Sequence, residues 1–107
     1  MNKKIDFDYE GKHYTLEYTR DSIKYMEANG FILEQFMEKP ATMLDLAWKG
    51  AFYKNHRKEN AATIEKILSD MDERDNLHKG LGDMINETYR IILEGDENSK
   101  KVQWKIS

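Results

Sequence analysis

The residues of widest chemical repertoire in this chain are its three histidines, His13, His56 and His78, since imidazole can ligate zinc or carry a proton near neutral pH. They lie 43 and 22 residues apart, which matches no local zinc pattern such as two histidines four residues apart on a helix. They read as three exposed structural histidines. A hydroxyl nucleophile needs a base within hydrogen-bond reach, and nothing in the spacing of Ser22, Ser69 or Ser99 points to one. The densest carboxylate group is Asp70, Asp72, Glu73 and Asp75, so a calcium loop is worth testing. Counted from Asp70, the sixth position holds Asp75 where the turn needs glycine, and the twelfth holds Leu81 where a bidentate glutamate belongs. These charges read instead as favouring the N-terminus of a following helix. Gly80-Leu81-Gly82 has neither the lysine nor the preceding strand of a phosphate loop. The expectation is a non-enzyme with no catalytic residue, no metal site and no cofactor.

Composition narrows the remaining classes. The 107 residues carry 20 Asp plus Glu against 17 Lys plus Arg, for a net charge of −3. That balance, with no basic stripe, argues against a nucleic-acid partner, because binding there requires Lys and Arg to displace condensed counterions. There is no cysteine, so no disulfide framework and no sulfur-based zinc site, and a reducing compartment suits the chain. Asp6 and Asp8 come directly after the basic opening Met1-Asn2-Lys3-Lys4, leaving no apolar stretch of signal-peptide or membrane-spanning length. The reading is a cytoplasmic protein, mature from residue 1, with no membrane partner. At 39% hydrophobic residues, there is material for one packed core and therefore one domain.

Periodicity assigns an α+β fold. Ile5, Phe7 and Tyr9, then Tyr14, Leu16 and Tyr18, alternate with polar residues and predict a β-hairpin over 5–18. With Glu10-Gly11 as a two-residue turn, Phe7 pairs with Tyr14 and Ile5 with Leu16, so turn and apolar pattern demand one register. About four helices come next. The first, near 20–29, is capped by Thr19 and stopped by Asn29-Gly30. A second at about 41–55, after Pro40, has a stripe of Leu44, Ala47, Trp48, Ala51 and Phe52 widened by Met43, Leu46 and Tyr53, which places it at the centre of the core. Shorter and longer amphipathic helices are predicted at about 62–71 and 75–93. Gly80 and Gly82 lie inside the last, each costing about 1 kcal/mol relative to alanine, so either another backbone approaches there or that first stretch is loosely formed.

The domain thus spans 1–94, and 95–107 forms a polar tether ending in a short strand that alternates Val102, Trp104 and Ile106 with Gln103 and Lys105. Two stretches hold more apolar residues than these elements require. Phe31, Ile32, Leu33, Phe36 and Met37 form one, a flap between the first two helices that either lids the core or meets a partner. Val102, Trp104 and Ile106 form the other. These eight residues are the candidate partner-binding set, with self-association among their uses.

The chain also resembles a known family. Phe7-x-Tyr9-x-Gly11-Lys12, Tyr14-x-Leu16-x-Tyr18-Thr19-Arg20, Met26-Glu27-x-x-Gly30-Phe31, Lys39-Pro40-x-Thr42-Met43-Leu44, Gly50-Ala51-Phe52 and the tail tryptophan Trp104 are similar to the tail assembly chaperones of long-tailed, siphovirus-type phages and prophages. The resemblance spans nearly the whole chain and rests on packing and turn residues. It implies a cytoplasmic assembly factor in the bacterial host that coats the tape measure protein, helps recruit tail tube subunits and is absent from the finished virion. In such families a ribosomal frameshift yields a longer form that reaches the tail tube protein, and the stretch from Glu94 onward is where that junction would fall. The residues alone also suit a small regulatory adaptor of antitoxin or anti-activator type.

Overall fold

In the computed structural model, which describes residues 3–95 and 100–107, an N-terminal antiparallel hairpin precedes four helices in an α+β fold. The hairpin strands are β1 (Ile5–Tyr9) and β2 (Lys12–Leu16), in the register that the alternation demands: Ile5 with Leu16, Phe7 with Tyr14, Tyr9 with Lys12. Glu10 and Gly11 both adopt positive φ, at 48° and 80°, which is the two-residue turn whose twist matches paired strands.

The predicted hairpin is two residues too long. β2 ends at Leu16 because the chain there turns onto the second helix, where Glu17 N–H donates to the Ala51 carbonyl at 3.3 Å and the Tyr18 hydroxyl to the Ala47 carbonyl at 2.7 Å. Helix α1 (Arg20–Ala28) starts from a reciprocal cap in which Ser22 N–H donates to Thr19 Oγ1 and Thr19 N–H to Ser22 Oγ. A single 3₁₀ turn, Leu33–Gln35, leads to α2 (Pro40–Phe52), with Pro40 in its first turn. α3 (Ala61–Asp70) is capped by Asn60, and α4 (Arg74–Glu94) continues from Glu73 in a left-handed conformation.

α2 is the central helix, as its apolar girth implies: Ala47, Trp48, Ala51 and Phe52 are all buried. Trp48 lies against Phe52 and sends its indole N–H to the Ile64 carbonyl of α3 at 2.8 Å, so the largest core side chain leaves no unpaired polar atom. α1 approaches α2 closely at Gly50, where a Cβ would collide with the buried Met26 sulfur. α2 stops at Phe52, three residues earlier than periodicity predicts. Beyond it, Asn55 and His56 turn to β2, where the Asn55 amide donates to the Thr15 carbonyl and Thr15 N–H donates to His56 Nε2, both at 3.1 Å.

Two further expectations change. The 31–37 stretch is split: Phe31 and Phe36 are core residues at 3% and 2% exposure, Leu33 is half-buried, and Ile32 and Met37 face solvent. The C-terminal strand is not formed among the described residues, where Val102–Ile106 pairs with no strand and Val102, Trp104 and Ile106 are exposed. Residues 96–99 of the predicted tether lie outside the described residues.

Candidate functional site

The polar residues that could carry chemistry are dispersed and already engaged. His13 lies on the exposed face of the hairpin between two carboxylates, Nδ1 at 2.8 Å from Asp8 and Nε2 at 3.3 Å from Asp6. Its pKa is raised, chiefly by the hydrogen bond to Asp8. His56 is half-buried, a correction to its expected exposure, and burial followed by the nearby Lys12 charge lowers its pKa. Because Nε2 accepts the Thr15 N–H, the bond requires a neutral ring. His78, also half-buried, donates from Nε2 to the Phe36 carbonyl at 3.1 Å with its ring centroid 4.3 Å from that of Phe36.

Of the serines, Ser22 belongs to the α1 cap and Ser69 donates to the Lys66 carbonyl, while Ser99 is outside the described residues. Asp70 accepts the Tyr9 hydroxyl at 2.6 Å, tying β1 to the end of α3. Among the described residues no group of three or more His, Asp or Glu side chains converges as a metal site.

Glu17, one of the polar residues that alternate with Leu16 and Tyr18 and so expected on the outer face of the hairpin, is only 3% exposed. Burial raises its pKa, yet hydrogen bonds from Asn55 at 2.9 Å and Lys54 at 3.1 Å outweigh this and leave it below the ordinary value. The adjacent Lys54-Asn55 pair is the only sequence hint of this anchor, 37 residues away.

The apolar candidates separate into two surfaces. At the flap, Phe36 packs on Phe31, with centroids 5.9 Å apart, and on α4, where a Cβ at Gly82 would come within 3.2 Å of its ring. At Gly82 it is an aromatic side chain, and not the expected backbone, that approaches the helix. Gly80 faces open space. Above the buried rings lies an open hollow lined by Leu33, Met37, Lys79, Asp83 and Asn86, with Met37 61% exposed and Ile32 45% exposed nearby in sequence. A weakly built apolar floor with a charged rim of both signs can receive the apolar face of an amphipathic helix.

The second surface lies at the end of α4. There Ile92, Leu93 and Glu94 line a hollow with Lys100, Lys101, Val102 and Trp104, and Lys101 donates to the Glu94 carbonyl at 3.4 Å. Leu93 is 82% exposed and adds to the predicted set. The two hollows share no residue, so the structure does not join flap and tail into one site.

Among the described residues no helix is long and apolar enough to cross a membrane. Residues 1–107 match the family described as a domain of unknown function (DUF5055), and the chain belongs to that family. No curated protein and no solved structure matches it.

Proposed function

We propose that this protein is a tail assembly chaperone of a long-tailed phage or prophage, working in the bacterial cytoplasm by non-covalent binding rather than as an enzyme. Its client is the tape measure protein, a long helical chain, and a frameshift-extended form brings tail tube subunits to the coated client. The chaperone is absent from the mature virion.

The observation that supports this reading best is the flap hollow, where exposed Met37 and half-buried Leu33 sit over buried Phe36 beside Lys79 and Asp83. One short amphipathic segment at a time fits such a surface, and weak sites repeated along a long client bind through multivalency. The resemblance supports it through packing: Tyr14, Leu16, Tyr18, Met26, Phe31, Met43, Ala51 and Phe52 are all core residues. Those residues speak for a shared core, whereas client choice belongs to exposed neighbours.

Capture of a co-expressed tape measure protein tests the proposal. Ile32→Ser with Met37→Ser, at exposed positions, is expected to abolish capture while leaving circular dichroism unchanged. Full capture by that variant removes the flap from the mechanism. The gene's setting is a second test: a position between a major tail protein gene and a very long tape measure gene is expected, and a neighbouring toxin gene favours the adaptor function.

A further inference from the structure

The two edges of the hairpin are finished differently. In a hairpin closed by a two-residue turn, Asp6, Asp8, His13 and Thr15 direct their backbone N–H and C=O groups outward. On β2 that edge is covered at Thr15 by the α2–α3 connection, where His56 accepts from Thr15 N–H and Asn55 donates to Thr15 C=O, and just beyond the strand Glu17 N–H reaches Ala51 of α2. Among the described residues nothing hydrogen-bonds the backbone of Asp6 or Asp8 along the outer edge of β1, and β2 is the only strand beside it. Core coverage fades in the same direction. Tyr14 and Leu16 of β2 are buried, whereas Ile5, Phe7 and Tyr9 of β1 are only half-buried. An open edge beside half-covered apolar side chains is a template for one more strand.

The tail has the complementary properties. Val102, Trp104 and Ile106 alternate with Gln103 and Lys105, the period-2 pattern of a strand with one apolar face, yet the segment is unpaired and Trp104 is 78% exposed. Laid beside β1, the apolar set would continue the face of Ile5, Phe7 and Tyr9. Lys105 would then fall on the face of Asp6 and Asp8, where two carboxylates share one imidazole, His13. In its own chain the tail lies instead against the end of α4. The Cα radius of gyration is 15.2 Å against about 13 Å for a compact chain of this length, consistent with a projecting segment.

We propose that Val102–Ile106 of one protomer adds as a third strand to the outer edge of β1 in a second copy of this chain, with the exchange reciprocated. A reciprocal exchange closes with two-fold symmetry, fills both edges and shelters both tryptophans. This surface is distinct from the flap hollow, so client capture and self-association can fail independently.

Light scattering on the full chain at high micromolar concentration is expected to give twice the 12.7 kDa chain mass. Trp104→Ser, and separately Asp6→Lys with Asp8→Lys, should each return it to a monomer. Mixing the two variants should restore a dimer, because one intact tail meets one intact edge. Amide hydrogen exchange provides a readout that needs no edge variant: the Asp6 and Asp8 amides should be protected in the natural chain and lose protection in Trp104→Ser. A monomeric natural chain overturns the proposal, including one whose Asp6 and Asp8 amides are protected by its own tail. A dimer that persists in Trp104→Ser also overturns it.

Discussion

The flap and the tail begin as equals in sequence, each with more large apolar residues than its neighbouring elements can use, and they end in opposite places. Phe36 is 2% exposed and Trp104 78% exposed. The flap is held at both ends, by α1 and α2, so closing it against α4 orders only a few residues, and Gly82 leaves room for the Phe36 ring. The tail alternates for a sheet that, among the described residues, its own chain does not extend to it. Apolar surplus therefore marks where a chain needs cover, while a prepared recess decides whether it covers itself.

The largest effect that would break this contrast is in the core. Phe36→Ala should cost about 3–5 kcal/mol in urea unfolding followed by circular dichroism, as expected for removing a buried phenylalanine. Trp104→Ala, measured at concentrations too low for association, should leave the midpoint unchanged. Equal losses would mean that the tail packs on the body after all. Next are the two glycines of α4. Gly80→Ala, facing open space, should stabilise by up to about 1 kcal/mol, whereas Gly82→Ala should forfeit that gain because its methyl group meets the Phe36 ring. Equal gains at the two sites would show that the flap does not press on α4.

The smallest effect concerns pH and distinguishes body from tail, since the described tail holds no histidine. His56 has a folded pKa below the ordinary 6.5, so its contribution is present at higher pH and is lost as pH falls from about 6.5 through the folded value. His13 is shifted upward, so its contribution is present below about 6.5 and is lost as pH rises through its folded value. Stability from these two groups should peak near pH 6.5. His56→Gln should flatten the acid side and His13→Gln the alkaline side, while deleting residues 100–107 should alter neither slope in thermal melts.

Most of the fold is legible in the sequence because local signals agree with one another. Alternation and Glu10-Gly11 demand one register, Thr19 caps α1, and the girth of α2 places Trp48 at the centre. The failures share a cause in partners distant along the chain. Phe36 rests on Gly82 and His78, Glu17 on Lys54 and Asn55, and α2 ends where Asn55 and His56 reach Thr15. No window of neighbouring residues contains those pairs. One clue is present in the cost of Gly82, which asks what approaches the helix, although it cannot name Phe36. Within the candidate site, exposed Ile32, Met37 and Trp104 remain surface residues, whereas Phe31 and Phe36 serve the core.

The recess at Gly82 also sets an order of events during synthesis. Phe31 and Phe36 leave the ribosome more than 40 residues before the α4 segment that covers them, and translation at about 5–20 residues per second separates the two by seconds. The hairpin's partners Asn55 and His56 emerge before that α4 segment. A nascent chain therefore exposes the flap's aromatic rings after the strands have paired, and α4 buries them on emerging.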